Sequence, residues 1–139
     1  MNDNTIAIGQ RAMFILGRTL LGIYFVLPGV QKIFAWDQMS AYMADHNVPL
    51  VPVLLALTIV IQIGAGGALI AGFKTQLMAF LLAGLTLVIS IFMHNFWAME
   101  EGLAQQHETQ NFVKNLAIMA GLLYVAGCVP KPAAATEAT

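Results

Sequence analysis

The sequence predicts an all-α membrane protein, a bundle of four transmembrane helices with both termini in the cytoplasm. Two observations predict it. Charged residues make up only 9% of the chain and hydrophobic ones 59%, whereas a soluble domain carries roughly 25% charged residues to coat its surface. The apolar residues also fall into four long runs, which a soluble core built from one-sided elements would not need. At 139 residues there is room for one domain. Six Lys and Arg stand against seven Asp and Glu, so no basic patch speaks for nucleic acid. The only cysteine is Cys128, which excludes an intrachain disulfide and a Cys-x-x-Cys redox pair. Electrons in any redox role must then be carried by something else.

A short cytoplasmic segment, 1–11, leads into the first run at about 12–34. At about 1.5 Å per residue this run spans roughly 34 Å, enough for a hydrocarbon core of about 30 Å. Arg18 interrupts it and no small-x-small cleavage pattern follows, so it reads as a retained helix rather than a secretory signal. Arg18 and Lys32 sit inside its two ends. Their long side chains can snorkel to lipid headgroups or meet a partner. Pro28-Gly29 should kink the helix, because proline removes a backbone donor and crowds the preceding turn.

Residues 36–47 read as a polar connection, and the second run follows at about 49–71. Gly72-Phe73-Lys74-Thr75 is a tight turn into the third run, about 76–97, so the second and third helices should be antiparallel neighbours. Residues 99–110 read as the longest polar loop. The fourth run, about 112–129, ends at Pro130-Lys131-Pro132, and 130–139 reads as a disordered cytoplasmic tail. The four runs make one domain over 12–129. Arg11, Arg18, Lys74 and Lys131 fall on one side, and Lys32 and Lys114 on the other beside five carboxylates. By the positive-inside rule both termini are cytoplasmic, and the loops at 36–47 and 99–110 lie outside. No internal repeat of the transporter kind is visible.

Small residues four apart, Gly64 and Ala68, Gly67 and Ala71, Ala117 and Gly121, predict that the second and fourth helices pack tightly, since lipid gives helices no hydrophobic reason to associate. Polar residues inside the runs form stripes: Tyr24, Pro28 and Gln31; Thr58 and Gln62; Thr86, Ser90 and His94; Asn111 and Asn115. Polar groups in hydrocarbon need partners, so the stripes should face one another in the outer half of the bundle. Either they bond helix to helix and fix the packing, or they line a ligand pocket made by His94, Gln62, Ser90, Asn115, Tyr24 and Thr58. His94 is the most versatile of these, because a histidine can exchange protons, hydrogen-bond a quinone carbonyl or ligate a metal. Its aromatic neighbours Phe96 and Trp97 equally suit an anchor at headgroup depth. His46 and His107 belong to loops, and no His-x-x-x-His pair is present, so neither a metal nor a haem is expected. No nucleotide-binding or nucleophile motif is present either.

With these residues in view, the chain resembles the DoxX family of small four-helix bacterial membrane proteins from about Arg18 to Gly127. The marks are Arg18-x-x-x-Gly22, Pro28-Gly29-x-x-Lys32, Asn47-Val48-Pro49, Gly64-Ala65-Gly66-Gly67, His94-x-Phe96 and Asn111-Phe112-x-Lys114-Asn115-Leu116. Relatives commonly carry a carboxylate where this chain has Gln62, and glycine where it has Asn47. A neutral amide cannot relay a proton, so that role does not transfer. The resemblance implies a membrane partner of redox enzymes, with relatives in thiosulfate:quinone oxidoreductase and other membrane oxidoreductase complexes. The resulting expectation is an accessory subunit without catalysis of its own, whose polar pocket binds quinone or lipid, with a redox protein or further copies of the chain as partners in the bilayer. A small transporter or channel, and an assembly factor without activity, are the alternatives.

Overall fold

A computed structural model describes residues 3–128. They form α1 (Asp3–Phe34), α2 (Trp36–Asp45), α3 (Val51–Ala71), α4 (Thr75–Met93), a 3-10 turn (Phe96–Ala98) and α5 (Leu103–Gly127), with no strand among the described residues. Three segments are long and apolar enough to cross a membrane: Thr5–Phe34, Val51–Ala71 and Thr75–Ala98. The expected tail, 130–139, lies outside the described residues.

Several boundaries differ from the sequence reading. α1 starts at Asp3 rather than near 12, because nothing in the exposed stretch before the apolar run breaks a helix; hydropathy marks where lipid begins, not where the helix does. It continues unbroken through Pro28. The expected polar connection at 36–47 is largely helix α2, whose Trp36, Met39 and Met43 recur at the spacing of one helical face. Met43 packs with Leu55, Ile59 and Met93, and Trp36 and Met39 pack against that cluster. Likewise α5 begins at Leu103 inside the expected 99–110 loop, so its first half is polar and its second half apolar. α4 ends at Met93, and the chain turns through Phe96–Ala98.

Each long helix runs antiparallel to the one it packs on. Along α1 and α3, Arg18 meets Leu69, Gly22 meets Gly66, and Gly29 lies against Gln62 and Ile63. Along α4 and α5, Gln76 meets Cys128, Ser90 meets Asn115, and His94 meets Glu108. The second and fourth runs pack chiefly on other helices rather than on each other, α3 on α1 and α4, and α5 on α4. The close approach is made by other glycines. A Cβ at Gly22 would lie 2.6 Å from the Gly66 carbonyl oxygen, and one at Gly66 would lie 2.9 Å from that of Gly22, whereas Gly64, Gly67 and Gly121 have nothing within 4 Å of that position. Spacing alone does not say which of several small-residue stripes faces a neighbour.

α3 ends on Gly72, at φ 79°. Its N–H donates to the Leu69 carbonyl at 3.2 Å, and that of Phe73 to Ala68 at 2.9 Å. Arg18, expected to reach for headgroups or a partner, donates to the carbonyls of Leu69 and Ile70, at the negative end of the α3 dipole. One apolar cluster, with Phe25, Leu69, Leu82 and Leu122, fills this end of the molecule. The cluster around Met43 fills the other. Between the two lies a layer of buried polar residues: Gln62, Thr86, Ser90 and Asn115.

Candidate functional site

The polar layer borders a cavity of about 240 Å³. Tyr24, Thr58, Gln62, His94 and Asn115, five of the six residues singled out from the sequence, line it. Ser90, only 1% exposed, stands one hydrogen bond behind the wall. Its hydroxyl donates to the Thr86 carbonyl at 2.7 Å and accepts the Asn115 amide N–H at 3.1 Å. Thr86 donates in turn to Leu82, also at 2.7 Å. This back-bonding satisfies each hydroxyl within its own helix, and leaves the Ser90 oxygen free to hold Asn115 of α5 in place.

Gln62 is different. It is 4% exposed, and its Oε1 has no hydrogen-bond partner. A buried polar atom without a partner forfeits about 1–3 kcal/mol, so such groups are rare and call for a reason. Gly29 makes room for this side chain: a Cβ there would lie 3.0 Å from that of Gln62. Because an amide can turn over, the position offers an acceptor in one orientation and a donor in the other.

At the α2 end, His94 caps α4, and its Nδ1 lies 2.6 Å from Glu108 Oε2. With Nδ1–H donating to that carboxylate, Nε2 is left as a free acceptor on a ring that lines the cavity. Phe96, Trp97 and Phe112 hold the turn against α5 by edge-on ring contacts at 5.3–5.8 Å between centroids, which fixes the histidine opposite Glu108. Lys32 and Lys114 also line the cavity. Lys32 Nζ donates to the Pro28 carbonyl at 3.4 Å, and Lys114 Nζ to Asn111 Oδ1 at 3.0 Å. Pro28 has no N–H, which leaves the Tyr24 carbonyl without its helical donor.

The sequence reading missed Glu108 as a partner of His94, and missed the roof. Met39, Tyr42 and Met43 of α2 close over the cavity. Burial first, and then the negative charge of Glu108, push the Tyr42 hydroxyl above the usual tyrosine range, so it remains a neutral donor at physiological pH. The two other histidines stand apart. His46 Nδ1 meets its own helix at the Tyr42 carbonyl, 2.8 Å away, and His107 is exposed. Gln31 is exposed as well and faces an adjoining groove beside Gln38, which shares Pro28, Lys32, Met39 and Tyr42 with the cavity. Among the described residues no three His, Cys, Asp or Glu side chains cluster as metal ligands would.

A family model described as DoxX matches residues 13–95. The chain belongs to the DoxX family. It is 33% identical to the inner membrane protein YqjF of Escherichia coli (strain K12), over 81% of this chain and 80% of that one. It is 26% identical to the inner membrane protein YphA of the same organism, over 82% and 81%. No solved structure gives a significant match. With its apolar helices, this DoxX-family chain is a multi-pass protein of the bacterial inner membrane. Tyr24, Thr58, Gln62, Ser90 and His94 fall within the matched segment, while Glu108, Lys114 and Asn115 are supplied by α5 beyond it.

Proposed function

We propose that this DoxX-family protein spans the inner membrane four times with both termini in the cytoplasm, and holds a quinone or quinol in its polar cavity as an accessory subunit of a membrane redox enzyme. The fourth span is α5. It supports this role by pairing with α4 along its length, and its 25 residues reach roughly 37 Å at about 1.5 Å each. Its polar first half lies beside the cavity and its apolar second half beside the core.

The observation that carries the ligand assignment is Gln62, a buried amide with an unpartnered oxygen on the cavity wall. A quinol hydroxyl satisfies that oxygen, and with the amide reversed the same position donates to a quinone carbonyl. His94 Nε2, with Glu108 behind it, is a second acceptor for a hydroxyl proton. Lys32, Lys114 and Asn115 supply donors for the oxidised ring. No electron carrier is needed from the chain itself in this role, since the ligand carries the electrons and a partner enzyme exchanges them.

The test is to purify the full chain from its native membranes and measure extracted quinone per protein, beside Gln62→Leu and His94→Ala. Near-stoichiometric quinone in the native chain, lost from Gln62→Leu, is the expected result. Phospholipid without quinone in a well-folded native preparation contradicts the reading.

A further inference from the structure

A second hollow, about 380 Å³ in volume, lies along the seam between α3 and α4. Its lining is apolar almost throughout, and Leu57, Phe80, Leu81, Val88 and Phe92 within it are 41–62% exposed. In a chain that spans the bilayer, such a surface faces acyl chains. Four residues, Met43, Thr58, Ile89 and Met93, line both this groove and the polar cavity. The two spaces therefore adjoin, and Thr58 is the one polar residue among the four they share.

We propose that the ligand is an amphiphile with a long apolar tail, whose ring sits in the polar cavity while its tail lies in the α3–α4 groove, entering sideways from the bilayer. This rests on the quinol reading of the cavity and adds the class of molecule to it: an alkylated or prenylated ring, not a small water-soluble one. Thr58 lies at the junction and marks where polar gives way to apolar lining. Gly84 lies in the groove, where an added Cβ would meet nothing within 4 Å. The missing side chain is not required by helix packing, and its absence keeps the channel open.

The experiment titrates the full-length protein, in bilayer discs, with decylbenzoquinol and with tail-less duroquinol. Gly84→Phe places a ring in the groove from a position where an added Cβ meets nothing within 4 Å, and Leu57→Trp fills it from the opposite helix. Both variants are expected to keep the unfolding temperature of the native protein, and to bind decylbenzoquinol at least about tenfold more weakly, the value of roughly two displaced methylenes. Duroquinol binding should be unchanged. Gln62→Leu, in contrast, should weaken both ligands. If the groove variants leave decylbenzoquinol unaffected, or weaken both ligands equally, the tail does not run there and the inference is wrong while the quinol site stands. If the native protein binds neither compound, the quinol reading fails and takes the inference with it.

Discussion

At the scale of single residues, the proposed quinone site rests on Gln62 and His94. Side chains that only fix packing are expected to be partnered, as Thr86 is at the Leu82 carbonyl, Ser90 at the Thr86 carbonyl and Asn115 at the Ser90 hydroxyl. Among the described residues Gln62 Oε1 and Ser40 Oγ are buried without such a partner, and of the two only Gln62 lines the cavity. Gln62→Leu is therefore expected to keep or raise the thermal stability of the ligand-free protein, by about 1 kcal/mol, and to abolish the extra stability that quinol gives. A structural glutamine would show the reverse, a loss without ligand. For His94 and Glu108, a double-mutant cycle of His94→Ala and Glu108→Ala should give a coupling of about 1 kcal/mol or more in ligand binding; additive effects would mean that the carboxylate does not position the ring. The stripes were readable in the sequence because a polar residue inside an apolar run is conspicuous. Glu108 was not, since a carboxylate in a polar segment looks the same whether it faces water or a histidine. Lys114 was read as a topological charge and as part of a family motif, but not as a lining residue, for the same reason.

At the level of helices, two features were hidden from hydropathy. α2 is short and weakly apolar, so a scan for membrane spans passes over it, yet it roofs the cavity with Met39, Tyr42 and Met43. Met43→Ala should cost about 2 kcal/mol or more through the void it leaves, with faster amide exchange over Trp36–Asp45 than over α4. Exchange rising equally in both helices would show that α2 is not a separate roof. The other feature is the choice of packing face. Gly22→Ala should destabilise by about 1–3 kcal/mol, because its new methyl meets the Gly66 carbonyl oxygen and the Ile70 side chain alike at 2.6 Å, and the backbone oxygen cannot turn aside. Gly64→Ala, with nothing nearby, should be neutral or better. Equal effects in unfolding assays would place the α1–α3 crossing elsewhere. Asn47 closes a different gap between sequence and structure: its φ of 55° is a left-handed conformation that glycine adopts most easily and that asparagine tolerates better than most other residues.

For the molecule as a whole, the apolar runs fixed the class of protein and the antiparallel course of its long helices, while the helix ends were set by backbone chemistry that hydropathy does not report. The proposed four-span topology would put Lys74 and Glu101 on opposite sides of the membrane. In a Cys128→Ser background, an impermeant maleimide added to intact spheroplasts should label Glu101→Cys and spare Lys74→Cys; labelling of both, or of Lys74→Cys alone, would refute the assigned orientation.

The site itself is tested most directly by covalent capture. An azido-substituted quinone with a long alkyl tail, photolysed in native membranes that contain the full chain, should attach to peptides from α2, the His94 end of α4 and the first half of α5, and Gln62→Leu should suppress those adducts. Adducts spread over the lipid-facing residues of every helix, or unchanged in Gln62→Leu, would mean that no quinone occupies the cavity.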